Sequence, residues 1–148
     1  MIQFCKTRPD AVVPTRAGAD EVGYDLTLVE YDRPMGVNSH MFDTGISVQS
    51  PPGYFCMVVP RSSIVRRGVV LTNSVGIIDP TYTGALKVVL SELHPGAVDA
   101  LRYQLPLKLC QLVFLPLLPA SIDAVEVSEL GHTSRGGNGF GSTDGNHK

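Results

Sequence analysis

Four groups of residues in this sequence have types and spacing that could do chemistry. In residues 60–63 (PRSS) an apolar run ends at an arginine, and two hydroxyls follow at the start of a short helical pattern. Backbone N–H groups at a helix start, joined by a guanidinium, match the charge and shape of a phosphate. The same residues suit a surface ion pair and a helix cap, and both readings stay open on this segment alone. The second group is residues 135–143 (RGGNGFGST), where glycines flank Phe140 and lead to Ser142 and Thr143. No Gly-Lys pair closes it as in a Walker A loop. Its elements suit a closing lid: glycine backbone and hydroxyls donate to phosphate, Arg135 matches its charge, and Phe140 offers a ring for stacking. A flexible linker is the alternative.

The third group is residues 73–90 (NSVGIIDPTYTGALKVVL), which reads as a hairpin with its turn around Asp79 to Gly84, feeding a buried strand. Gly76 suggests a bulge or a close approach of a ligand to backbone, while Asp79 before Pro80 is by itself an ordinary turn residue. Gln111 is the fourth, a single amide in the apolar run LKLCQLVFLPLL. An unpaired buried amide costs roughly 1 to 3 kcal/mol, so Gln111 pairs across a sheet or faces a ligand.

The elements that must position these groups are strands. With 11 prolines and 15 glycines in 148 residues, few segments can hold a helix of ordinary length. Strands are expected at 54–59, 69–71, 86–90 and 107–115, and their apolar faces need a sandwich or barrel to bury them. Residues 62–67 make at most two helical turns, with Ser62 or Ser63 as N-cap, Arg66 and Arg67 near the C-terminus and Gly68 as terminator. Residues 120–130 suit a helix or an edge strand, and after Leu130 the apolar pattern stops.

Composition bounds the class. At 43% hydrophobic and 18% charged the chain is globular, large enough for one domain, and charge-poor enough to suggest that a second copy covers part of its surface. A net charge of −2 supplies no field for a nucleic acid. Cys5, Cys56 and Cys110 form neither a disulfide framework nor a metal motif; the latter two lie in apolar runs and suit a core in a reducing compartment. The longest apolar run is too short to span a membrane and the start lacks a signal pattern, so a soluble, intracellular protein is expected.

In order, residues 22–26 (VGYDL), 60–63 (PRSS), 73–84 (NSVGIIDPTYTG), 107–112 (LKLCQL) and 135–143 (RGGNGFGST) resemble the five motifs of the trimeric dUTP pyrophosphatases, or dUTPases. The resemblance implies an all-β, jelly-roll-like barrel or sandwich over residues 1–130 and a glycine-rich arm over 131–148. It implies a homotrimer whose active sites are each built from three subunits. The activity implied is hydrolysis of dUTP to dUMP and pyrophosphate with Mg²⁺, removing dUTP and supplying dUMP for dTTP synthesis. By the same resemblance, Asp79 would deprotonate a water that attacks the α-phosphorus. Tyr82 would lie against the deoxyribose, and Asn73 with the backbone of Gly76, Ile77, Ile78 and Asp79 would meet the uracil edge. Ser62 and Gln111 would contact the α- and β-phosphates, Arg61 would support the phosphate chain, and Ser63 and Lys87 would complete the substrate-binding set. Arg135, Gly141, Ser142 and Thr143 would hold the γ-phosphate, with Phe140 stacked on uracil. Asp25 would accept a hydrogen bond from a water on the Mg²⁺.

Four positions depart from the family pattern: Ser63, Lys108, Cys110 and Asp144, the last adding a carboxylate beside the expected γ-phosphate. Two rival readings follow from the same residues. RSSIVRRG and IDPTYTG are also similar to segments of deoxycytidine triphosphate deaminase, whose glutamate would fall at Val89, with Glu92 on the opposite strand face. A non-catalytic β module that binds a nucleotide or a protein is the other.

Overall fold

The computed structural model describes residues 1–119, 122 and 124–134. Met1–Leu118 form one compact unit, distinct from the segment that begins at Pro119. In chain order the elements are β1 (Gln3–Lys6), β2 (Tyr24–Leu28), β3 (Glu30–Pro34), β4 (Ser39–Asp43), β5 (Ile46–Gln49), β6 (Tyr54–Pro60), a 3-10 helix (Ser62–Arg66), β7 (Val69–Leu71), β8 (Gly76–Ile78), β9 (Lys87–Glu92), α1 (Ala97–Arg102) and β10 (Leu107–Pro116). One sheet runs β2-β10-β6-β8, a second β3-β4-β9-β7, and β1 pairs with β5 alone. All pairings are antiparallel.

The period of two in burial shows how these strands share a core. On β6, Cys56 and Val58 are buried while Phe55, Met57 and Val59 between them are half-buried. They join Leu26 and Leu112 of their own sheet and Phe42, Val88 and Leu90 of the other in one buried cluster. Each such side chain contributes about 1.5–3 kcal/mol of burial, which makes this interior the main source of stability. The strands expected at 54–59, 69–71, 86–90 and 107–115 match β6, β7, β9 and β10 to within two residues.

β10 breaks its own alternation. Its register against β2 shifts between Lys108 and Cys110, so Leu109 and Cys110 are both buried. The extra residue resets the phase. Lys108 then pairs with Thr27 and Gln111 with Asp25, which brings two polar side chains of β10 alongside two of β2.

The hairpin expected over residues 73–90 is not one. β8 bonds to β6 in the first sheet, whereas β9 bonds to β4 and β7 in the second. The reason is burial: Leu86, Val88 and Leu90 are taken by the core beside Phe42, so the chain crosses between sheets after Ile78. The short helix is present, but its N-cap is Arg61 with no side-chain cap bond from either serine. Gly68, at φ +66°, follows its C-cap as expected. α1, unforeseen from the sequence, is held at its start by the Glu92 carboxylate, which accepts the Val98 N–H at 2.8 Å. Of residues 120–130, those described lie in neither helix nor strand.

Candidate active site

The phase reset in β10 and the end of β6 build one polar cavity of about 250 Å³, lined by Glu21, Gly23, Asp25, Arg61, Ser62 and Gln111 among others. The backbone of Arg61 is fixed by its N–H donating to Leu109 O at 2.8 Å and by its carbonyl accepting the Ile64 N–H at 3.0 Å. The Arg61 Nε lies 2.9 Å from Asp25 Oδ1, and Lys108 Nζ lies 3.2 Å from Asp25 Oδ2. Asp25 is itself tied down by its N–H to Thr15 O at 2.9 Å. Arg61 and Lys108 against Asp25 and Glu21 leave the formal charge near zero. A polyanion would therefore need further positive charge, from a cation or another segment, to sit in this cavity.

The surface ion pair weighed for Arg61 exists, and so does a polar cavity beside it. Gln111 is half-buried and does pair across the sheet, its Nε2 donating to Pro60 O at 3.3 Å. Ser63 sits in the 3-10 helix but outside the cavity lining.

A second cavity, about 230 Å³, is lined by Ile77, Ile78, Asp79, Tyr82, Leu86 and Lys87. Its wall is a turn closed by the Tyr82 N–H on Asp79 O at 3.0 Å, with Pro80 at the position where a fixed φ suits a turn. The Tyr82 hydroxyl donates to Ala85 O at 3.0 Å. Among the described residues the Asp79 carboxylate has no hydrogen-bond or ion-pair partner, so it is exposed and open to water. β8 is the last strand of its sheet, so one of its edges carries no partner strand, and Ile77 on it is 67% exposed. What approaches Gly76 closely is Val58 and the Asn73 amide.

Lys87 lines the cavity but its ammonium is spent elsewhere, 2.7 Å from Asp43 Oδ2 and 3.4 Å from Asp32 Oδ2. Burial alone would lower its pKa, and the bonds to Asp43 and Asp32 outweigh that and raise it. The two cavities share no lining residue. Glu21, Gly23 and Lys108 are not assigned to the site from the sequence, although Gly23 and Lys108 fall within its VGYDL and LKLCQL segments; the phase reset is what sets Gln111, rather than Cys110, opposite Asp25. Arg135, Phe140, Gly141, Ser142 and Thr143 lie outside the described residues.

Two other readings are narrowed by the same geometry. Val89 carries no carboxylate, and Glu92 is bound to the start of α1, so β9 offers no free acid for a deaminase. Cys56 and Cys110 are buried, and burial pushes the Cys110 thiol up to about 12, which makes both inert core residues.

Comparison with known proteins agrees. The family model described as dUTPase matches residues 10–144. The deoxyuridine 5'-triphosphate nucleotidohydrolase of Escherichia phage T5 is 35% identical over 150 residues, covering 97% of this chain and 98% of that protein. A mutant dUTPase of Staphylococcus bacteriophage 80alpha, solved with dUpNHpp, superposes with a TM-score of 0.73 at 23% identity, over 97% of this chain and 98% of that one. A mutant dUTPase of phage phi11 of S. aureus, described with a structural Mg(II) ion, gives a TM-score of 0.67 at 23% identity, over 88% of this chain and 99% of that one. At those identities the solved structures speak for the fold.

Proposed function

This chain belongs to the dUTPase family, and on that premise we propose that it hydrolyses dUTP to dUMP and pyrophosphate, with Asp79 as general base. The observation that carries this is the unpartnered, exposed Asp79 carboxylate joined through one turn to Tyr82 on the wall of a cavity. A water oxygen held by Asp79 attacks the α-phosphorus, its proton passes to the carboxylate, and the bond from the α-phosphorus to the bridging oxygen breaks to release pyrophosphate.

Tyr82 stands against the deoxyribose and leaves no room for a 2′-hydroxyl. The free edge of β8 from Gly76 to Ile78, with Asn73 behind it, pairs with uracil, because an edge strand offers the donors and acceptors that a base edge needs. Arg61, Ser62 and Gln111 receive the α- and β-phosphates in the polar cavity.

The residues present fit Mg²⁺ bound through water. Asp25 presents two carboxylate oxygens, each with one cationic partner and capacity left to accept from a metal-bound water. When bound, the ion neutralises triphosphate charge and polarises the α-phosphorus. It also supplies part of the positive charge that the cavity lacks.

The site is completed by other copies of the chain and by the arm. The separation of the two cavities, the exposure of Asp79 and Tyr82 and the neutral phosphate cavity all support a homotrimer. In it, residues from 131 on, with Arg135, Phe140, Gly141, Ser142 and Thr143, close over a neighbour's substrate. Among the described residues no helix is long and apolar enough to cross a membrane, and two buried free thiols suit a reducing, intracellular compartment.

The test is pyrophosphate release with Mg²⁺ across dUTP, dCTP, dTTP and UTP. Turnover confined to dUTP and abolished by Asp79→Asn, with binding retained, supports the reading. Ammonia release from dCTP, or no turnover of dUTP, overturns it.

A further inference from the structure

Gly84 is not a glycine for the sake of its backbone. Its φ lies outside the left-handed range occupied by Gly45, Gly53, Gly68 and Gly96, so no left-handed turn requires a glycine there. What excludes a side chain there is one neighbour. A Cβ at position 84 would stand 2.5 Å from Tyr82 Oη, 2.7 Å from Cζ and 3.1 Å from Cε2, and the Tyr82 ring supplies all three of its nearest atoms.

The ring has little else to hold it. Tyr82 is 45% exposed, and no aromatic ring or guanidinium among the described residues packs on it. Its backbone is pinned by the N–H bond to Asp79 O and its far end by the hydroxyl bond to Ala85 O. Between those two points the hydroxyl end of the ring takes the space that a Cβ of Gly84 would need.

We infer that Gly84 is a positioning residue for substrate selection: with the Ala85 carbonyl it sets how far the Tyr82 ring stands into the cavity, and hence how strongly a 2′-hydroxyl is refused. The inference rests on the reading that Tyr82 meets the sugar. An added Cβ must lift the ring by roughly an ångström to reach ordinary contact, which breaks the bond to Ala85 and moves the ring relative to the sugar. A shape-based selection loses its sharpness under such a shift.

The experiment measures kcat/KM for dUTP and for UTP, with Mg²⁺, on the full chain and on Gly84→Ala, Tyr82→Ala and the double variant. Gly84→Ala is expected to lower the dUTP-to-UTP ratio about tenfold, and the double variant to match Tyr82→Ala, since the clash is gone once the ring is removed. A purely structural role would lower both substrates alike and leave the ratio where it was. An unchanged ratio in Gly84→Ala while Tyr82→Ala lowers it, or a double variant worse than Tyr82→Ala, overturns the inference. If Tyr82→Ala itself leaves the ratio intact, the sugar reading of Tyr82 is what has failed, and the role of Gly84 falls with it. Should Gly84→Ala not fold, the double variant must fold; a double variant that is also unfolded overturns the inference.

Discussion

The Oε1 atom of Gln111 occupies the space that a Cβ at position 23 would need, and the amide carbon would lie 2.7 Å from it. Gly23, like Gly84, has no left-handed φ to explain it. Its bare Cα and the carbonyl of Pro60, 3.3 Å from Gln111 Nε2, hold the amide between them at the wall of the polar cavity. Gly23→Ala should push the amide off this seat. The expected result is a KM for dUTP raised about tenfold, the scale of one hydrogen bond to a charged group, with kcat and melting temperature little changed. In a Gln111→Ala background the same substitution should add nothing, and additive losses in that double-mutant cycle would show that Gly23 acts through something other than Gln111.

Asp25 separates stability from metal dependence. Its partners Arg61 and Lys108 are 34% and 45% exposed in their side chains, so solvent screening limits each pair to about 0–1 kcal/mol. Asp25→Asn should therefore melt close to the parent protein. It should raise the Mg²⁺ concentration for half-maximal pyrophosphate release, because the amide accepts a weaker hydrogen bond from the metal's water. A large drop in melting temperature with unchanged Mg²⁺ response would make Asp25 a structural residue only.

These relationships mark where the sequence stops being legible. β6 and β7 are readable because each is a short, continuous run of apolar, β-forming residues. Apolar character does not say which sheet a strand joins, and that is why β8 and β9 read as a hairpin although they lie in different sheets. The turn from Asp79 to Tyr82 is legible because proline and glycine punctuate it locally, whereas Asp79 and Tyr82 stand out in it only through the resemblance of residues 73–84 to a dUTPase motif. The Asp25–Lys108 pair spans 83 residues, and the one-residue phase shift in β10 that sets Gln111 opposite Asp25 is announced by no local pattern. The missing caps at Ser62 and Ser63 have the same origin, since Arg61 is set by Leu109 across the sheet rather than by its neighbours in sequence.

The pair of Lys87 with Asp43 should give the fold its acid limb. Burial pushes the Asp43 carboxyl up, but hydrogen bonds from Lys87 at 2.7 Å and from the Gly45 N–H at 2.8 Å, with Arg8 nearby, outweigh it and hold Asp43 below the usual carboxylate range. With its folded pKa depressed, the unfolded chain binds the proton first. The contribution is then complete above an ordinary carboxylate value of about 4 and is lost as pH falls through the lower folded value. Lys87, with its pKa raised, keeps its side of the pair until pH rises past its own unfolded value of about 10.4. Melting curves of the parent and of Asp43→Asn should differ most at neutral pH and converge below about pH 4. A gap that stays constant down to pH 2 would show that Asp43 contributes through packing instead.

Sites shared between copies of the chain, if present, would show themselves in complementation more sharply than in the mass of an oligomer. A chain carrying Asp79→Asn keeps its arm, and a chain ended after Leu130 keeps Asp79; each alone should be inactive on dUTP yet folded, because Met1–Leu118 is a compact unit by itself. If the arm serves the same chain's Asp79, a mixed assembly of the two contains no complete site. If it serves a neighbour's, some sites in the mixed assembly hold an intact Asp79 from one chain beneath an intact arm from another. Co-expression of the two inactive variants should therefore restore part of the pyrophosphate release, in proportion to mixed assemblies, while each purified alone stays silent. No recovery from a preparation shown to contain mixed assemblies would place the arm over its own chain's site.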